Sequence, residues 1–245
     1  MASIMKLTTD DLTPKQLVLL PGLDGTGKLF ADFLTALPDT LTPTVVTYPT
    51  KKFLSQAELL PFVSAAVPKA GPVVLLAESF STPIAINYAA TNPPNLAALI
   101  MCAGFVFKPM AGWSWIVKAV AKPWLFRLSP PRRILEYFLV GTNAPPALIQ
   151  ELRQALRLVS PAVLSRRVSE VLDCDARNDL ARTTVPIMYV QAIHDRVVPE
   201  SCRSEIFRIR PDAISALVQG PHLILQREPQ KVANLVAAFV QQLGV

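Results

Sequence analysis

The chain has 245 residues, enough to bury a sizeable core in one α/β domain with an insertion. Hydrophobic residues make up 51% and the net charge is +6, yet no uncharged apolar run reaches the roughly 18 residues of a membrane span. The first residues lack the continuous apolar stretch of a secretion signal, so the expected location is the cytoplasm. Cys102, Cys174 and Cys202 are odd in number and unclustered, which argues against a disulfide framework or a zinc site; no metal or cofactor is expected.

In chain order, an apolar strand over 17–21 runs into the glycine-rich turn Pro21-Gly22-Leu23-Asp24-Gly25-Thr26-Gly27. A helix over 28–36, a strand over 44–48 and a helix over 55–67 follow, then a strand over 73–77 and a helix over 80–91. After a strand over 97–102 no clear strand appears until 186, and the intervening segment reads as helical and proline-punctuated. The alternation resumes with a strand over 186–191, a helix over 201–209 and a strand over 213–219. A closing helix over 229–243 repeats Val232, Leu235, Val236, Phe239 and Leu243 at helical spacing. Alternating strands and helices predict an α/β fold with a mostly parallel central sheet flanked by helices.

Ser79 lies where the third strand turns into a helix, a junction that projects its hydroxyl and aims a helix N-terminus at developing negative charge. Such a turn needs small residues two before and two after the serine, and here they are Ala77 and Ser81 rather than glycines. An isolated serine at this place also reads as a helix N-cap. Two further segments favour the nucleophile: Asp195 follows the strand over 186–191, and His222 follows the strand over 213–219. His194 adjoins the acid instead of following a later strand, so His222 is the expected base. Asp173, Asp175 and Asp179 have no clear preceding strand, so Asp195 is the expected acid. The glycines at 22, 25 and 27 match neither a P-loop nor G-x-G-x-x-G.

These segments resemble the α/β-hydrolase family of serine esterases, and within it the small lidded enzymes related to pimeloyl-acyl-carrier-protein methyl ester esterase. The chain order Ser79, Asp195, His222 is that family's order of nucleophile, acid and base. The resemblance implies an α/β-hydrolase fold in which 1–105 and 185–245 form the core and 106–184 form a helical lid. It also implies an oxyanion hole from the backbone amides of Leu23 and Phe80, although Pro21 stands where the family usually has histidine. The implied activity is carboxylic ester hydrolysis through an acyl-enzyme on Ser79. Thioesterase, carbon-carbon hydrolase and non-catalytic ligand-binding readings stay open, whereas Ser79 argues against the epoxide hydrolases and haloalkane dehalogenases of this fold, which carry an aspartate at the nucleophile position.

The segment 106–184 holds all three tryptophans, and Trp113 and Trp115 are candidate substrate-binding residues. Packing of this segment onto the core also accounts for the tryptophans, and both roles can hold at once; Gly112 to Phe126, with Lys118 and Lys122 among its apolar residues, also fits an amphipathic helix resting on a membrane. It carries twelve basic against six acidic residues, which accounts for the whole +6. A solvated face explains this, as does steering of a small-molecule ester or of an anionic carrier or acyl-CoA to the site. No reader motif for nucleic acid accompanies the charge.

Overall fold

A computed structural model describes residues 15–109 and 121–244. Its centre is a six-stranded sheet of β1 (Lys15–Leu20), β2 (Leu41–Val45), β3 (Val73–Glu78), β4 (Leu96–Cys102), β5 (Ile187–Ala192) and β6 (Ile214–Val218). The spatial order is β2-β1-β3-β4-β5-β6, and every neighbouring pair is parallel. The α/β fold with a parallel central sheet flanked by helices expected from the sequence is the one observed.

Burial on both faces explains the unbroken apolar run of β3, since a parallel strand covered by helices has no polar side. Val18, Val73, Leu75, Ala77, Leu99 and Met101 face one layer of helices, α2 (Gln56–Ala66), α3 (Thr82–Ala89) and α8 (Glu200–Ile209). Leu17, Leu19, Val74, Leu76, Ile100 and Cys102 face the other layer, α1 (Ala31–Ala36), the short α9 (Ile224–Arg227) and α10 (Pro229–Gln242). In α10, Val232, Val236 and Phe239 are buried, as their spacing predicts. Ser55 and Glu58 close a capping box on α2 and so fix where that helix starts.

The second strand lies earlier than the apolar pair Val45-Val46 predicts. Lys15 of β1 pairs with Leu41, and the strand has ended by Val45. As an edge strand it is half exposed and tolerates Pro43, so its own pattern is weak. The backbone keeps company with β1 one residue further, through the Val46 N–H and the Leu19 carbonyl (2.9 Å).

The chain runs from β1 to one side and then crosses back to place β3 on the other side of β1. A reversal of this kind opens a crevice at the carboxyl ends of the two strands, where α/β sheets bind ligands. The glycine-rich turn leaves β1 there, and Ser79 leaves β3 there.

Between β4 and β5 the described chain contributes no strand to the sheet. It holds α4 (Arg132–Leu135) running into a π turn (Glu136–Val140), then α5 (Pro146–Leu158), α6 (Pro161–Asp173) and α7 (Arg177–Arg182). Its two ends are fastened together: Lys108 N–H donates to the Cys174 carbonyl (3.0 Å), and Ala176 N–H donates to the Val106 carbonyl (2.7 Å). Trp113 and Trp115 lie outside the described residues, as does most of the Gly112–Phe126 stretch. Trp124 is 61% exposed and does not pack this segment onto the core, whereas Phe107 and Phe126 do make apolar contacts.

Candidate active site

Ser79 sits between β3 and α3 with φ of 46°, in the left-handed region that a non-glycine residue occupies only at a cost of about 1–3 kcal/mol. That geometry lifts the hydroxyl out of the sheet, and Ala77 and Ser81, both fully buried, leave room for the turn. The Ser79 Oγ lies 2.9 Å from His222 Nε2. His222 Nδ1 lies in turn 2.7 Å from Asp195 Oδ2. Residues 79, 195 and 222, the three that the strand-end pattern predicts, thus converge on one hydrogen-bonded chain.

The direction of that chain follows from Asp195. Its Oδ1 accepts the Val197 and Val198 N–H groups at 2.7 and 2.9 Å, so the turn after β5 holds the carboxylate in place. Its Oδ2 then accepts from Nδ1–H of His222, which leaves Nε2 to accept the Ser79 proton. Burial alone would lower the His222 pKa. The charge and hydrogen bond of Asp195, with a smaller contribution from Glu78, outweigh it and leave the imidazole more basic than usual. The loop bearing His222 is fixed from the inserted segment, where the Leu223 N–H donates to the Leu139 carbonyl (2.9 Å). His194 is exposed on the turn beside Asp195 and takes no part. Asp175 and Asp179 pair with Arg177 and Arg182, and Asp173 ends α6.

The turn after β1 lies against the nucleophile turn and is pinned at successive carbonyls. Ser81 Oγ donates to the Pro21 carbonyl, so the neighbouring Tyr48 hydroxyl (2.9 Å) donates to Ser81. Gly25 N–H donates to the Gly22 carbonyl (3.0 Å), and the Thr26 N–H and hydroxyl donate to the buried Asp24 side chain. Ser81, which replaces a glycine of the usual elbow pattern, therefore ties the nucleophile turn to the β1 turn. Phe80 is buried beside Tyr48, their rings edge to face at 6.4 Å.

The sequence matches the model of the alpha/beta hydrolase family over residues 17–235, nearly the whole chain. The protein belongs to the alpha/beta hydrolase family. No curated protein matches its sequence. Solved structures share the fold at low identity. Among them are a hydrolase from Oleispira antarctica (15% identity, 93% of this chain and 91% of that chain covered, TM-score 0.78) and the enol-lactonase from Burkholderia xenovorans LB400 (12%, 94% and 92%, 0.77). A thermophilic esterase from Thermogutta terrifontis is similar too (16%, 95% and 92%, 0.76).

Two residues of this hydrolase have surroundings that sequence patterns do not reveal. Glu78, next to the nucleophile, is 2% exposed at the end of β3, its carboxyl against Gly22 and near Gln226, Asp24 and His222. Burial pushes its pKa up from an ordinary 4.5 to about 7, with the Asp24 charge adding to the rise. Folding therefore favours the protonated carboxyl. That contribution is complete below about pH 4.5 and is lost as the pH rises through 7. Glu78→Gln, which has no proton to lose, is expected to gain stability relative to the native chain between pH 5 and 8, by on the order of 3 kcal/mol at the upper end. Melting temperatures measured in parallel across that range check it; a constant difference contradicts it.

The second residue is Arg167, counted above among the basic residues of the inserted segment and expected at a solvated or steering face. It is 1% exposed and points inward from α6. Ten of its eleven companions, from Lys108 to Arg182, are described, and most are exposed; Lys118 lies outside the described residues. Among the described residues no group of His, Cys, Asp and Glu is placed to hold a metal ion, and no helix is long and apolar enough to cross a membrane. The three cysteines are buried free thiols, with Cys102 in the core as its strand position implies.

Proposed function

We propose that the protein is a serine hydrolase that cleaves carboxylic esters through an acyl-enzyme on Ser79. The observation that carries this reading is the continuous chain Ser79 Oγ, His222 Nε2, His222 Nδ1, Asp195 Oδ2, with links of 2.9 and 2.7 Å. His222 takes the hydroxyl proton as Ser79 Oγ bonds to the ester carbonyl carbon, and Asp195 stabilises the imidazolium that forms. The amides of Leu23 and Phe80 receive the oxyanion, each such donor being worth roughly 2.7 to 4 kcal/mol in the transition state. The tetrahedral intermediate collapses, the alcohol leaves with the proton from His222, and water repeats the cycle to free the acid and restore Ser79. In this reading 106–184 covers the site as a lid, and Trp113 and Trp115 contribute to the acyl pocket.

An alkyl fluorophosphonate and a panel of matched aryl esters, thioesters and 1,3-diketones of graded chain length test it. Labelling of the native protein at Ser79 is expected, with turnover highest on esters at one chain length. A protein that stays unlabelled and hydrolyses no member of the panel refutes the reading, and faster turnover of the thioesters or diketones moves the reaction to that class. The same ester series run at increasing ionic strength shows whether the basic residues of 106–184 favour an anionic substrate over a neutral one.

A further inference from the structure

Arg167 combines features that ordinary packing does not require. Its guanidinium is buried, which is costly for a charge, and its bonded partners are three backbone carbonyls instead of a carboxylate. Nη1 donates to the carbonyls of Leu23 (2.9 Å) and Asp24 (2.8 Å), and Nη2 donates to that of Pro49 (3.0 Å). The group also lies over two rings, with the guanidinium carbon 5.7 Å from the centre of Phe80 and 5.8 Å from that of Tyr48. It thus touches both residues whose amides receive the oxyanion in the proposed reaction, although neither amide is itself its partner.

The peptide planes around Leu23 show what this contact does. The Leu23 N–H belongs to the same rigid plane as the Gly22 carbonyl, so the Gly25-to-Gly22 bond fixes the direction in which that N–H points. The preceding plane is fixed by Ser81 on the Pro21 carbonyl. Of the following two planes, Arg167 holds that of the Leu23 carbonyl, and it holds that of the Asp24 carbonyl together with the Gly25-to-Gly22 bond, whose N–H belongs to the same plane. The turn is shaped to admit it: Gly25 has φ of +70°, and a Cβ there would come within 2.5 Å of Nη1. The helix that carries Arg167 is seated independently, through Ser160 N–H on the Thr50 carbonyl (2.8 Å) and Glu170 on the Gln56 N–H (3.0 Å).

We infer that Arg167 is a positioning residue, reaching in from the inserted segment to hold the turn after β1 so that the Leu23 amide meets the oxyanion. This rests on the acyl-enzyme reading above. A lysine in its place keeps the charge but offers one compact ammonium where the guanidinium spans carbonyls on two loops. Arg167→Met and Arg167→Lys are both expected to lower kcat for the best ester by roughly 10- to 100-fold, part of what one lost oxyanion donor costs. KM should stay within about threefold.

Binding of an alkylboronic acid, which forms a tetrahedral adduct on Ser79, should weaken in step with kcat, and binding of the unreactive amide analogue of the substrate should not. If kcat holds in the folded variants while only their melting temperature falls, Arg167 is a fastener and the inference fails. It fails equally if the amide analogue weakens as much as the boronate, since that marks substrate binding. Should Arg167→Met not fold, the lysine variant decides between these outcomes. An inactive, unlabelled native protein refutes the esterase reading itself and is told apart at once, because the comparison starts from an active native enzyme.

Discussion

Replacing Ser79 with alanine is expected to lower kcat on a good ester by on the order of 10⁶-fold, because the members of such a unit act together and little of their effect survives the loss of the nucleophile. The fold should be unharmed. The substitution removes one oxygen at the crevice, leaving intact the core that places β3 between β1 and β4. Ser79 also holds φ of 46°, which alanine adopts at similar cost, so any stability change should be small beside the kinetic one. Single-turnover kinetics, with circular dichroism as the control for folding, measure the effect. A variant that keeps even a tenth of native turnover would show that the reaction does not pass through this oxygen.

Asp195→Asn is expected to cost about 10⁴-fold in kcat while leaving substrate affinity nearly unchanged. The carboxylate accepts two backbone N–H groups through Oδ1 and the imidazole N–H through Oδ2, a pattern in which every bond is accepted. Asparagine keeps one acceptor oxygen, which the Val197 and Val198 amides will claim. Its NH₂ then faces Nδ1 and can only donate. The imidazole must take the other tautomer, with the proton on Nε2, and it can no longer receive the serine proton. The pH profile separates this from simple unfolding: a well-folded Asp195→Asn enzyme should gain activity as rising hydroxide concentration supplies the missing base. Activity near the native level at pH 7 would mean that another acid serves His222.

How far the sequence discloses such a site depends on whether a residue's role is local. Ser79, Asp195 and His222 each follow a strand, and their order along the chain matches the order of strands β3, β5 and β6. That signal is one-dimensional and could be read directly. The six strands were likewise found from apolar runs, except that edge strand β2 carries a pattern too diluted by Thr42, Pro43 and Thr44 to fix its register. Arg167 is the opposite case. On α6 it sits among residues with the ordinary alternation of a half-exposed helix, beside the exposed Arg166, and nothing in the spacing tells the inward arginine from the outward one. Only the meeting of α6 with the β1 turn, 144 positions away in sequence, does so. The burial of Glu78 is hidden for a related reason: strand alternation gives its face, but whether that face is wet depends on Gly22 and Gln226, which arrive from elsewhere in the chain.

The paired backbone bonds that join Val106 and Lys108 to Ala176 and Cys174 make the whole excursion between them a loop whose ends are already closed. For such a loop, each doubling in length adds only about 0.6 kcal/mol of closure entropy. Evolution is therefore free to lengthen, shorten or exchange what lies between, while β4 and β5 stay paired in the same register. The inserted segment is thus a replaceable cartridge clipped to a closed socket, and, with Arg167 positioning the β1 turn as inferred above, that guanidinium is the one pin any replacement has to supply again.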